Sequence, residues 1–119
     1  MSPTTLLQIA ILAEHVDLQW LPPRLLDDAY GKCLVENREI QLRSSMTGLQ
    51  CLDCLIHEIN HYISERCNLE LSEHQVHVMA MAWSEIFQSN PEMLGWIAER
   101  TEEEDARRIT TTRFNTPKG

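Results

Sequence analysis

Leu52-Asp53-Cys54-Leu55-Ile56-His57-Glu58-Ile59-Asn60-His61-Tyr62-Ile63 is the stretch that decides how this chain is built. Gly48 and the preceding Ser44, Ser45 and Thr47 read as a loop, and from about Leu49 to Cys67 there is neither Gly nor Pro. Apolar residues recur there at helical spacing, which predicts a helix over about 49–67. At about 100° per residue, Leu52, Leu55, Ile56, Ile59, Tyr62 and Ile63 form one stripe about 120° wide. His57 and His61 fall on the opposite side, about 40° apart, with Glu58 about 60° beyond His61. The expectation is a helix that buries the stripe and presents His57, His61 and Glu58 from its other face.

Residues four apart on a helix lie nearly above one another. Two imidazoles at that spacing can reach one metal ion, and a glutamate between them can activate water beside it. Catalytic zinc usually takes three protein ligands, so a third must come from outside this helix. Ser72-Glu73-His74-Gln75 reads as a capping box that opens a second helix over about 72–89. Its apolar stripe is Val76, Met79, Ala80, Trp83, Ile86 and Phe87. Glu73 and His77 lie one turn apart on the edge of that stripe, and His74 points further round. An antiparallel helix pair joined by a short loop brings this edge toward the first helix. Glu73 is the first choice of ligand, because amides at a helix start keep a carboxylate ionised. His77 is the alternative, and His74 reads as a surface histidine.

Other ligand sets share this segment. Cys51, Cys54, His57 and His61 have the composition of a structural zinc site. On one continuous helix, however, Cys51 points about 120° from His57, and the four cannot close a tetrahedron. Cys67 occupies the last position of the longer H-E-x-x-H-x-x-G-x-x-H spacing, but that pattern needs Gly at position 64, where this chain has Ser64.

With these residues in view, the chain resembles small phage and prophage metallopeptidase-like proteins of the zincin type, distant relatives of ImmA/IrrE-like gluzincin peptidases. The matching features run from about Ile9 to Leu94. They are Gly31-Lys32-Cys33 followed by Arg38-Glu39-Ile40-Gln41-Leu42, then Leu55-Ile56-His57-Glu58-Ile59-Asn60-His61, Leu71-Ser72-Glu73-His74-Gln75-Val76, and Asn90-Pro91. One departure is His74, which stands where the family pattern has a second glutamate; were that glutamate the ligand, the site here would be His-His-His. The resemblance implies a Zn2+-dependent peptidase acting on a peptide or protein substrate. His57, His61 and Glu73 would be the metal ligands and Glu58 the general base. Tyr62, His74 and His77 would be candidate donors to the developing oxyanion. It also suggests two short strands, roughly Gln8–Leu12 and Asp17–Trp20, in a region that could otherwise be a helix from Leu6 to Val16.

Pro22-Pro23 ends whatever precedes it. Arg24 to Tyr30 reads as a short turn or helix, and Lys32–Val35 with Glu39–Arg43 as a hairpin turning at Glu36-Asn37-Arg38. Pro91 opens a third amphipathic segment with Met93, Leu94, Trp96, Ile97 and Ala98. The expected fold is α+β, a small antiparallel sheet followed by two to three helices with the H-E-x-x-H stretch on the first long one. One domain is expected over residues 1–108, with 109–119 as a flexible tail.

A net charge of −8 repels phosphate backbones and anionic lipid, so neither nucleic acid nor a membrane surface is an expected partner. Leu6 to Ala13 is too short, and lacks the preceding basic residues, to be a signal peptide or a membrane span. Four cysteines then fit a reducing cytoplasm, the host's if the chain is phage-encoded. Two further readings come from other classes: a non-catalytic zinc-binding interaction protein on a zincin scaffold, with Trp96 on a partner surface, and a phage structural or regulatory factor in which the histidines are incidental.

Overall fold

The computed structural model describes residues 7–114, with side chains through residue 103. The chain divides into two compact units, the first ending at Glu85 and the second beginning at Ile86. The first unit is α+β. Its strands are β1 (Leu7–Ile11), β2 (Glu14–Leu21), β3 (Gly31–Leu34) and β4 (Glu39–Arg43), and they are followed by helix α1 (Gly48–Arg66) and most of α2 (Glu73–Ser89). The second unit carries α3 (Met93–Phe114). Residues 109–114, expected to begin a tail, continue α3, and 115–119 lie outside the described residues.

The segment from Leu7 to Leu21 is a hairpin, as the β-branched Ile9, Ile11 and Val16 favour. Its register pairs Ile11 with Glu14, which leaves a two-residue turn at Leu12-Ala13. Both turn residues adopt positive φ, 53° and 67°. That is the geometry that twists a tight hairpin correctly, and it usually selects Asn-Gly. No turn signature marks it in the sequence.

The sheet order is β1-β2-β4-β3. Two of its three pairings are antiparallel, as expected, but β2 runs parallel to β4. The hairpin of β3 and β4 enters the sheet second strand first. Ile40 and Leu42 on β4 are fully buried, whereas β3 has no fully buried residue, so the more apolar strand takes the inner place. Placing β4 beside β2 forces the parallel sense, and the chain from Pro22 to Arg38 supplies the long crossover that such a pair requires.

Val16, Leu18, Ile40 and Leu42 alternate along β2 and β4 and form the inner face. Helix α1 packs on it through Cys54 and the fully buried Tyr62, with Leu55, Ile59 and Ile63 against the same cluster. Tyr62 Oη donates to Glu14 Oε1 at 2.7 Å, and Arg66 Nε donates to the same oxygen at 2.8 Å. These two bonds fix the end of α1 to the start of β2.

The buried face of α1 differs from the apolar stripe. Glu58 is 7% exposed and lies on the sheet side, in line with Cys54 and Tyr62, whereas most of the stripe is only half-buried. The cause is packing on two flanks. Asn60 and Ser64 are also buried, on the flank where Ser64 Oγ accepts from the Leu71 amide at 3.0 Å. Contacts of Ser64 with Leu71, His57 with Glu73, and Asp53 with Ser84 run in opposite order along the two helices, so α1 and α2 are antiparallel. Among the described residues, no helix is long and apolar enough to cross a membrane.

Candidate metal centre

Thr47 caps α1, its hydroxyl accepting from the Gln50 amide at 3.4 Å. About three and four turns later, His57 and His61 lie between the sheet-facing and α2-facing flanks. Their rings are edge to face with centroids 4.8 Å apart. At the start of α2 the expected capping box is formed. Gln75 N donates to Ser72 Oγ at 3.1 Å, and Ser72 N donates to Gln75 Oε1 at 2.8 Å. The box fixes the first turn of α2 and directs Glu73 back across α1.

Three side chains meet there. His57 Nε2 lies 2.7 Å from Glu73 Oε1, and His61 Nε2 lies 3.1 Å from Glu73 Oε2. The two Nε2 atoms are 3.2 Å from each other. His57, His61 and Glu73 are thus one cluster whose ligand atoms all lie within 4.8 Å. Two ligands about 2.0–2.1 Å from a tetrahedral zinc must be roughly 3.3 Å apart. The triangle is close to that size. Two imidazole nitrogens facing each other at hydrogen-bond distance, both also facing a carboxylate, form an electron-rich pocket suited to a cation. Two imidazoles and one carboxylate are a donor set typical of catalytic zinc, so the residues present fit the ion.

Glu58 is the other half of the site. Its carboxyl rests against Gly31 at the start of edge strand β3. A Cβ at position 31 would lie 3.1 Å from both Cγ and Oε2 of Glu58 and 2.8 Å from Cys54 Sγ. Gly31 therefore provides the space in which Glu58 sits. A cleft of about 450 Å3 opens here, with His57, Glu58 and Glu73 in its wall. Tyr30 and Gly31 line it from the sheet edge, Gln50, Asp53 and Cys54 from α1, and His77 from α2.

Burial pushes the Glu58 carboxyl above the usual carboxylate range, with His57 and His61 opposing that shift and Glu73 adding to it. A raised carboxyl beside a ligand cluster is matched to taking and giving a proton. Glu73 moves the other way. Desolvation raises it, but hydrogen bonds with His57 and His61 outweigh that and hold it below its ordinary value. It therefore stays ionised, as a ligand must.

His77 stands near the cluster without joining it, its ring centroid 6.3 Å from that of His57. His74 is exposed and belongs neither to the cluster nor to the cleft wall. Tyr62 is not an oxyanion donor: its ring is fully buried and its hydroxyl is committed to Glu14. His77 is the remaining one of the three expected donors that borders the cleft. The cysteine sets do not assemble either. Cys33, Cys51, Cys54 and Cys67 are unpaired. Burial, then the Glu58 charge, pushes the Cys54 thiol up to about 12, far from the thiolate that zinc binds.

Tyr30, Gln50 and Asp53 are cleft residues that the sequence reading did not single out, and Gly31 entered it only as part of a hairpin match. Asp53 and Gln50 lie one and two turns before His57 on the same helix, which is the signal that could have found them. Tyr30 and Gly31 come from across the sheet, and no local pattern carries that. No family model, curated protein or solved structure matches this chain.

Proposed function

We propose that this chain is a zinc-dependent metallopeptidase that hydrolyses peptide bonds with Glu58 as general base. The observation that carries the reading is the convergence of His57 Nε2, His61 Nε2 and the Glu73 carboxylate beside a cleft into which Glu58 also faces. An ion held by those three side chains would supply Lewis acidity at the scissile carbonyl. Glu58 takes a proton from water as its oxygen bonds to the carbonyl carbon. It then returns a proton to the leaving nitrogen as the C–N bond breaks. His77, on the wall of the cleft, would be the donor to the developing oxyanion.

A peptide suits the surroundings. Among the described residues, strand β3 pairs with β4 alone, and its other edge borders the cleft at Gly31. An extended backbone can add to such an edge through main-chain hydrogen bonds. The resemblance to phage and prophage zincin-type proteins supports the same activity, and four free cysteines suit a bacterial cytoplasm.

The test is elemental analysis of freshly purified protein, with hydrolysis of an unfolded protein substrate. Wild type should carry one zinc per chain and cleave. Glu58→Gln should keep the zinc and lose activity by a factor of about 10²–10⁴. Absence of bound metal, or full activity in Glu58→Gln, overturns the proposal.

A second reading, a non-catalytic zinc-binding interaction protein, draws on α3. Leu94, Trp96 and Ile97 are all exposed there. It predicts zinc without turnover, and partner capture that survives Glu58→Gln.

A further inference from the structure

We infer that the cleft recognises a positive charge on its substrate through Asp53. This rests on the metallopeptidase reading and adds a substrate class to it. Asp53 lies one turn before His57, about 40° round α1, on the flank that faces α2. It is half-buried and lines the cleft. Ser84, itself only 5% exposed on α2, donates from Oγ to Asp53 Oδ1 at 3.4 Å. That contact holds the carboxylate through one of its two oxygens. Asp53 is not a ligand, since the metal cluster comprises His57, His61 and Glu73.

Charge balance gives the argument its direction. Glu73 is engaged by His57 and His61, whereas Asp53, a short way along the same wall, makes no ion pair among the described residues. Among the described residues, no Lys or Arg lines the cleft. Arg43 lies over the Tyr30 ring, 4.2 Å from its centroid, with its guanidinium donating to the carbonyl oxygens of Ala29 and Asp28. A carboxylate on the wall of a recess of about 450 Å3 favours a cation there. In a peptide that cation is either a Lys or Arg side chain near the scissile bond or a free α-amino group.

The test reads binding, so it does not depend on turnover. Zinc-loaded protein is titrated calorimetrically with four amino-acid hydroxamates, whose chelating group binds zinc. Nα-acetyl-lysine hydroxamate carries only a side-chain cation, and glutamine hydroxamate only a free α-amine. Nα-acetyl-glutamine and Nα-acetyl-glutamate hydroxamates supply the neutral and anionic cases. One of the two cations should bind wild type about tenfold more tightly than the neutral compound, which also identifies the source of the charge. Asp53→Asn should bring the four within about twofold of one another, and Asp53→Lys should favour the acetyl-glutamate compound. Equal binding of all four to wild type, or a preference that survives Asp53→Asn, overturns the Asp53 assignment and leaves the metal site standing. Failure of even the neutral hydroxamate to bind removes the accessible metal itself, and this inference with it.

Discussion

Replacing Gly31 with Ala should damage the protein in a way that separates stability, metal binding and chemistry. No glycine among the described residues has positive φ, so Ala is not excluded by backbone conformation. Space is the obstacle. The new Cβ would meet Cys54 Sγ at 2.8 Å, below any ordinary contact, and Glu58 Cγ and Oε2 at 3.1 Å. Cys54 is buried on a helix anchored at both ends, so its sulfur has little room to retreat. Overpacking of this kind costs about 1–3 kcal/mol. Ala also restricts the unfolded chain, which returns about 0.4–1 kcal/mol. The net loss is roughly 1–2 kcal/mol, a fall of about 0.5–1 M in the urea midpoint of metal-free protein. Cys54→Ala removes the clashing atom, so the double variant should be more stable than the sum of the singles by about 1 kcal/mol. Zinc affinity should change little, because the ligands do not touch Gly31, while hydrolysis falls as Glu58 is displaced. Wild-type stability in Gly31→Ala, or additive single and double variants, would refute the packing argument.

The remaining expectations concern other parts of the molecule. Zinc at a hundredfold excess over its dissociation constant should stabilise wild type by about 2.7 kcal/mol, and Glu73→Ala should lose most of that shift in a thermal melt. In metal-free protein, Glu58→Gln should be more stable than wild type at pH 7. A carboxyl raised by burial favours folding below its unfolded pKa and disfavours it as the pH climbs through the folded value; guanidinium unfolding at pH 5 and 7 reads the sign. Tyr62→Phe should cost about 1–2 kcal/mol by freeing Glu14 from its hydroxyl partner, yet leave the turnover number unchanged, unlike loss of an oxyanion donor. Replacing Leu12-Ala13 with Asn-Gly should raise stability by roughly 1–2 kcal/mol, since both residues adopt the left-handed conformation that Asn and Gly tolerate; an unchanged melting temperature would count against the turn.

Periodicity carries the helices well, because a stripe at 3.6 residues and a capping box are local signals. Ser72 and Gln75 exchange the hydrogen bonds their spacing implies, and Glu73 follows from them. The β3–β4 hairpin is equally local, with Ile40 and Leu42 alternating inward. What the sequence hides depends on the second partner of each element. Hydropathy could not reveal that β4 would lie parallel to β2, since that follows from competition among strands for the central position. The wheel of α1 ranks residues by polarity and so turned Glu58 outward, whereas the sheet edge accepts it because position 31 has no side chain. Tyr62 illustrates the same limit: its place on the helix was legible, but Glu14, 48 residues away, decides what its hydroxyl does.

The connector between α1 and α2 sets a rotational phase. Asn68 and Glu70 both take positive φ, and the amides of Leu69 and Leu71 are tied to the carbonyl and hydroxyl of Ser64. One residue inserted between Glu73 and Val76 would leave that connector intact. If α2 kept its buried stripe in place, Glu73 would be turned about 100° away from the two imidazoles. The first turn of α2 could thus switch ligand geometry off while the scaffold persists, and chains that differ from this one only there would keep its shape without its chemistry.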